Sequence, residues 1–205
     1  MKGGRTRNSL RQLLAVSVLA VTSVAQSADS APYKSLDEGA ALLRDDFNAA
    51  KGSVRVLFVV DPICPGCLRG LDDMNKDLLS KTNDPRLQTF VVHVPRMTPP
   101  PKAKDVPEAA TLLHNDHVHH YWNPSGSFGE ELSEGLGLTV DGEDVYAWDV
   151  WLVYGPDAVW DGASPPKPEY FMHQLWALGV TDLPRFDSKV FAQRVHQLLA
   201  SVPRP

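Results

Sequence analysis

Two thiols, Cys64 and Cys67, are the only cysteines in the chain, and they stand within four consecutive residues, Cys64-Pro65-Gly66-Cys67. That spacing suits thiol-disulfide exchange: one thiolate attacks a disulfide sulfur, and a second thiol one helical turn away closes a ring with the first. Cys64 is the expected nucleophile. It falls where an apolar run gives way to helical periodicity, so it should cap a helix whose free N–H groups and positive dipole end stabilise a thiolate. Pro65 suits the first helical position, because its φ is already helical and its missing N–H is not needed there. Cys67, one turn further in, is expected to be more enclosed and to act as the resolving thiol. A four-cysteine zinc site would need a second cysteine pair. A structural disulfide across two residues would close too small a loop to stabilise much by chain entropy.

Two other groups carry possible chemistry. Asp149 is a polar residue beside bulky neighbours in Tyr146 to Tyr154, and burial there would raise its pKa and let it serve as an acid-base partner of Cys67. The histidines crowd between His93 and His120, with His114, His117, His119 and His120 among them. If that stretch were helical, His117 and His120, or His114 and His117, would share a face, and together with the dithiol they would make a copper- or zinc-binding or delivery protein, the alternative to a histidine-rich turn without metal. Trp122, Trp148, Trp151, Trp160 and Trp176 read as core and groove walls, with Trp148 expected opposite the dithiol. Asp61-Pro62-Ile63-Cys64 lacks the threonine that peroxiredoxins set three residues before their reactive cysteine.

The elements that must position these residues follow from periodicity. Ser35-Leu36-Asp37-Glu38 reads as a capping box for a helix carrying Leu36, Ala40, Leu43, Phe47 and Ala50, ended near Gly52. Val54 to Val60 is a β-branched apolar run, hence a buried central strand, broken by Asp61-Pro62. A helix from Cys64 bears Leu68, Leu71, Met74 and Leu78 on one stripe, and Leu87 to Val94 reads as a second strand. Prolines make Met97 to Pro107 a loop. Short helices are expected over Glu108 to His114 and Gly126 to Leu136. Tyr146 to Tyr154 should turn through Gly155-Pro156-Asp157 into Ala158-Val159-Trp160 as a hairpin. A helical segment ending at Leu178-Gly179 and a last helix capped by Asp187, with Phe191, Val195, Leu198 and Leu199, complete the chain. This order predicts an α/β fold with a mixed central sheet, helices on both faces and a helical insertion after the second main strand.

Residues 1–25 carry Lys2, Arg5, Arg7 and Arg11 and no acid, then the apolar run Leu13 to Ala25 ending in Ser23-Val24-Ala25. This is a secretory signal pattern with cleavage expected after Ala25, and the run is shorter than the roughly 20 residues a spanning helix needs. Cleavage removes four basic residues and takes the formal charge from −5 to −9. The mature protein, 26–205, should be one domain with an insertion at about 97–140, without a stable membrane span, at work in the periplasm or outside the cell. Its acidity disfavours nucleic acid as a partner.

On Val54 to Val60 followed by Asp61-Pro62-Ile63-Cys64-Pro65-Gly66-Cys67, the sequence resembles the thioredoxin-like family. The resemblance implies a thioredoxin-like fold and exported thiol-disulfide oxidoreductase activity with no cofactor. It also implies partners that are substrate proteins bearing thiols or disulfides, together with a redox partner protein. By that likeness Cys64 attacks, Cys67 resolves, and Pro65, Gly66 and Trp148 line the substrate groove. A proline directly after the first cysteine is similar to exported oxidases and glutaredoxins. Two departures stand out. The acid that thioredoxins commonly bury six residues before the first cysteine is Phe58 here, leaving Asp61, Asp149, water or nothing to move protons. Trp148-Asp149 also occupies the place of the family's cis-proline.

Overall fold

Seven consecutive residues with no exposed surface, Val54–Val60, can be satisfied only at the middle of a sheet covered on both sides. In the computed structural model, which describes Met1 and residues 32–203, this strand is central. The leader assigned to residues 1–25 lies, Met1 apart, outside the described residues.

The elements run β1 (Lys34–Ser35), α1 (Ala41–Ala49), β2 (Val54–Val60), α2 (Pro65–Asp77), β3 (Leu87–His93) and α3 (Val106–Ala110). Then come β4 (Val118–Trp122), α4 (Ser127–Leu136), β5 (Thr139–Val140), β6 (Glu143–Asp144), β7 (Val150–Tyr154), β8 (Tyr170–His173) and α5 (Ser188–Ser201). The main sheet has six strands in the order β1-β4-β3-β2-β7-β8, and β5 and β6 form a separate two-stranded ribbon. β2 pairs parallel with β3 from Val54↔Leu87 to Val60↔His93, and antiparallel with β7 from Arg55↔Tyr154 to Val59↔Val150. A parallel β2-α2-β3 crossover joined to an antiparallel β7-β8 pair and a closing helix is the thioredoxin-like arrangement. The fold expected from the sequence is therefore present, as a mixed sheet.

Alternation along β2 sends side chains into two cores. Val54, Val56, Phe58 and Val60 pack with Leu71 and Met74 of α2 and Phe191 and Val195 of α5. Leu57 and Val59 pack on the opposite face with Leu43 and Phe47 of α1 and Phe128 and Leu132 of α4. Arg55 is fully buried in β2. Its guanidinium donates to the carbonyls of Phe47 (3.2 Å), Ala158 (2.9 Å), Gly155 (2.6 Å) and Pro156 (3.0 Å) and lies 4.4 Å from the Phe47 ring centroid.

That clamp corrects the expected hairpin. Gly155, Pro156 and Ala158 spend their carbonyls on Arg55, and residues 155–160 form no strand; the partner of β7 is β8, registered from Val150↔His173 to Val153↔Tyr170. Tyr170 to His173 is thus extended where the sequence pattern reads as helical, and only Leu175–Leu178 coils, as a 3-10 turn ended by Gly179 at φ 94°.

The N-terminal capping box is also absent. Ser35 belongs to β1, which pairs with β4, and the Leu36 N–H donates to the Trp122 carbonyl at 2.8 Å. α1 begins only after Ala40, held at φ 45°.

The expected insertion does hold helices α3 and α4, but it also contributes β4, which lies parallel to β3 and extends the sheet. His119 and His120 therefore sit on a strand, not on a helix. His117, just before it, is three positions from His120, an odd spacing that sends the two to opposite faces of an extended chain.

Candidate active site

α2 starts as the sequence requires: Cys64 is its cap residue, in extended conformation, and Pro65 is its first residue. The Cys64 sulfur accepts the Cys67 N–H at 3.5 Å, and the Cys67 sulfur accepts the Asp61 N–H at 3.5 Å. Cys64 keeps 8% of its surface exposed and Cys67 none, so only the first can meet another protein. The electrostatics separate them further. A hydrogen bond from the Cys67 thiol, with the Cys67 and Gly66 N–H groups at the helix start, lowers the Cys64 pKa to about 6 against the cost of burial. Burial pushes the Cys67 thiol well up.

Asp149 reaches the dithiol from the other side. It stands at the entrance to β7 with φ 52°, a left-handed conformation that aspartate tolerates better than most residues. Its carboxylate and the two sulfurs lie within 4.8 Å of one another. Gln174, just beyond β8, holds it by donating Nε2–H to Oδ1 at 2.8 Å, and the Gln174 N–H donates to the Asp149 carbonyl at 3.0 Å. Burial raises the Asp149 pKa. The paired strands β7 and β8 thus present one carboxyl and its tether together.

The remaining sequence-derived candidates fall into place differently. Asp61 is fully buried and spoken for: it accepts from the N–H groups of Arg96 (2.7 Å), Met97 (2.8 Å) and Ile63 (2.9 Å) and so pins the loop after β3 beside α2. Phe58 packs against Trp151 and Phe191, with ring centroids 4.8 and 5.8 Å away. Pro65 is exposed and Gly66 half-buried, while Trp148 is half-buried and packs against both cores.

The histidines do not join the dithiol. Among the described residues, the one three-ligand cluster of metal-binding side chains is Cys64, Cys67 and Asp149. His120 instead donates Nε2–H to the Leu113 carbonyl at 2.8 Å, which leaves its Nδ1 to accept from His93 Nε2–H at 3.0 Å. His93 is wholly buried, with Nδ1 unpartnered.

Two features of the site escape a reading along the chain. Gln174 stands in a stretch whose pattern reads as helical, and no local signal ties it to Asp149. A cleft of about 660 Å³ is lined by Ile63, Leu68 and Arg69 around the start of α2 and by Asp105, Glu108 and Leu112 around α3. It exists because α3 folds back over α2, a tertiary event without local signature.

The fold is thioredoxin-like in topology, and the paired cysteines at the start of α2 are its candidate redox dithiol. No protein-family profile matches the sequence, and no curated protein matches it significantly. Among solved structures it is similar to a thioredoxin-like protein in the oxidized form, with TM-score 0.47 and 12% identity over 74% of this chain and 80% of that one. It is also similar to the exposed lipoprotein thioredoxin of Streptococcus pneumoniae, with TM-score 0.42 and 15% identity over 73% and 88%. A third is a secreted disulfide oxidoreductase of Mycobacterium tuberculosis, with TM-score 0.39 and 12% identity over 73% and 85%. No helix among the described residues is long and apolar enough to cross a membrane.

Proposed function

We propose that the protein is an exported thiol-disulfide oxidoreductase that exchanges disulfides with substrate proteins through Cys64 and Cys67. The observation that carries this reading is the division of labour at the start of α2: a partly exposed thiol poised as thiolate near neutral pH, backed by a wholly buried one held as thiol. In the reducing direction, the Cys64 thiolate attacks a substrate disulfide, a mixed disulfide forms, and one substrate sulfur leaves as thiolate. Cys67 then gives its proton to the Asp149 carboxylate and attacks the Cys64 sulfur. The second substrate thiolate departs, and two electrons have passed to the substrate as the Cys64–Cys67 disulfide forms. The reverse sequence oxidises a substrate dithiol.

The substrate segment would rest against Pro65, Gly66 and Trp148 and in the cleft between the start of α2 and α3. Export rests on the signal pattern of residues 1–25, and a periplasmic or extracellular site fits an oxidising compartment. One domain, residues 26–205 with an insertion at about 97–140, would carry the activity, fed by a redox partner protein.

The test is a redox titration of the protein by thiol alkylation across glutathione buffers, with metal chelated. A reversible two-electron transition is expected. A potential near about −270 mV would assign a reductant, and one near about −120 mV a donor of disulfides. Absence of any reversible transition, or exchange activity surviving Cys64→Ser, would overturn the proposal.

A further inference from the structure

The dithiol and Asp149 make a donor set as well as a redox centre. One ligand atom from each of Cys64, Cys67 and Asp149 lies within 4.8 Å of the other two, and all three residues are buried. Zinc bound at about 2.3 Å to sulfur and about 2.0–2.2 Å to a carboxylate oxygen sets tetrahedral ligand atoms roughly 3.5–3.8 Å apart, so the cluster needs only a small contraction. Gln174 occupies Oδ1 of Asp149 and leaves Oδ2 to the dithiol side. That second oxygen faces the cysteine loop: it lies 3.5 Å, and the Cys64 sulfur 3.7 Å, from the point where a Cβ on Gly66 would stand. An outer residue that orients a ligating carboxylate in this way is what metal sites use to fix their ligands.

The chemistry of the donors selects the ion. Two thiolates with one carboxylate suit a borderline divalent cation; monovalent copper favours sulfur alone, and magnesium or calcium favours oxygen alone. We propose that the reduced dithiol and Asp149 form a three-ligand site for a divalent cation of the zinc class, with the fourth position open on the Cys64 side. Binding releases the remaining thiol proton to solvent and engages both sulfurs, so the metal-bound and disulfide states exclude each other. A bound cation would hold the dithiol reduced and closed to exchange. This goes beyond the oxidoreductase reading and requires only that the dithiol be reduced.

The experiment titrates the reduced full chain with Zn²⁺ against a chromophoric chelator, with Co²⁺ as spectroscopic probe and cysteine alkylation as a second readout. Expected are one Zn²⁺ per chain, none after oxidation to the disulfide, the intense visible bands of four-coordinate Co²⁺, and protection of both cysteines from alkylation. Asp149→Asn should weaken Zn²⁺ binding by about tenfold or more; asparagine adopts the same left-handed backbone and still accepts the Gln174 bond, so the fold is kept. Gln174→Leu should weaken binding by about 10–100-fold through a loosened carboxylate, and it carries the test should the first variant not fold. Failure of the reduced protein to bind stoichiometrically would overturn the proposal. So would Asp149→Asn and Gln174→Leu variants that bind as tightly as the parent, which would assign the metal to the dithiol alone. The chelated redox titration is independent, so failure of the exchange reading would be seen separately.

Discussion

The Cys64 thiolate gives the sharpest quantitative expectation. With a pKa of about 6 instead of 9.0, Cys64 is ionised to about 90% at pH 7, where an unperturbed thiol of that reference would be about 1% ionised. The roughly 90-fold gain in thiolate does not become a 90-fold gain in rate. Nucleophilicity falls with pKa at a Brønsted slope of about 0.4–0.5, and three pH units of acidity cost about 16–30-fold, leaving a net advantage of only about 3–6-fold. The diagnostic is therefore the midpoint of the pH-rate profile for alkylation by iodoacetamide, expected near pH 6. The leading cause of the low value is the Cys67 thiol hydrogen bond, and hydrogen bonds to a charged group are worth about 1.5–3 kcal/mol. Removing it in Cys67→Ala should move the midpoint upward by about one to two pH units, since one unit corresponds to about 1.4 kcal/mol. Cys67→Ser keeps a donor and should move it less. A parent midpoint at pH 8 to 9, or a Cys67→Ala midpoint equal to the parent's, would refute the account of how α2 activates Cys64.

Three further outcomes follow from named contacts. Asp149→Asn should slow resolution by about 10²–10⁴-fold, the range for a positioned base, so that mixed disulfide on Cys64 accumulates in mass spectra of quenched reactions; rapid release at neutral pH would remove Asp149 from the proton path. Gly70→Ala should destabilise the protein by about 1–2 kcal/mol despite the helix preference of alanine, worth about 1 kcal/mol. Its methyl would overlap the Trp151 ring, 2.7 Å from Cη2, and that ring is wedged by Phe58 and Phe186 at 4.8 and 4.3 Å; an unchanged or raised melting temperature would contradict this. Burial depresses the pKa of both His93 and His120, so below about pH 6.5 the unfolded chain binds protons that the folded one does not. Stability is then full above that pH and falls as the pH drops, at up to about 1.4 kcal/mol per pH unit for His93 with a smaller share from His120, as urea midpoints at pH 7 and 5 should show, with a flatter slope in His93→Leu.

What was legible in the sequence is what local chemistry decides. β2 announced itself by an unbroken β-branched run, α2 by Cys64 at its cap and Pro65 behind it, and α5 by Asp187, whose carboxylate accepts the Lys189 and Val190 N–H groups at 3.0 and 3.1 Å. The dithiol and Asp149 could be singled out for the same reason, one from its motif and the other as a carboxyl out of place among aromatics, and the fold brings the three within 4.8 Å of one another. The errors share a cause in pairing across long sequence separations. Ser35 has the chemistry of a cap, yet the Leu36 N–H finds the Trp122 carbonyl. Val118–Trp122 holds three aromatic or β-branched residues but is masked by its two histidines, which the sheet accommodates by stacking His119 on Phe90 and His120 on His93. Tyr170–His173 follows a proline-rich loop and is only four residues long, too short for its period to be read.

The placement of Asp149 shows how, on the proposed reading, the dithiol keeps a carboxyl beside it although residue 58 is phenylalanine. A carboxyl at residue 58 would face Trp151 and Phe191, rings that close the core between β2, β7 and α5, and an unpaired charge there would be costly to bury. Phenylalanine at that position is thus the consequence of an aromatic core and requires the acid to come from elsewhere. β7 is the neighbouring strand, and its entrance lies next to the start of α2, so a single residue turned to φ 52° delivers a carboxyl to the dithiol without crossing the core. Such a carboxyl needs a tether, because nothing in the strand ladder fixes a residue outside it; Gln174 supplies one from the far end of β8, bonding both the Asp149 side chain and its carbonyl. The same Gln174 Nε2 lies 3.4 Å from the Gly66 carbonyl in the first turn of α2. Asp149, its tether and the first turn of α2 are therefore linked through one amide, so that motion of the β8 end would move the carboxyl and the Cys64 helix together.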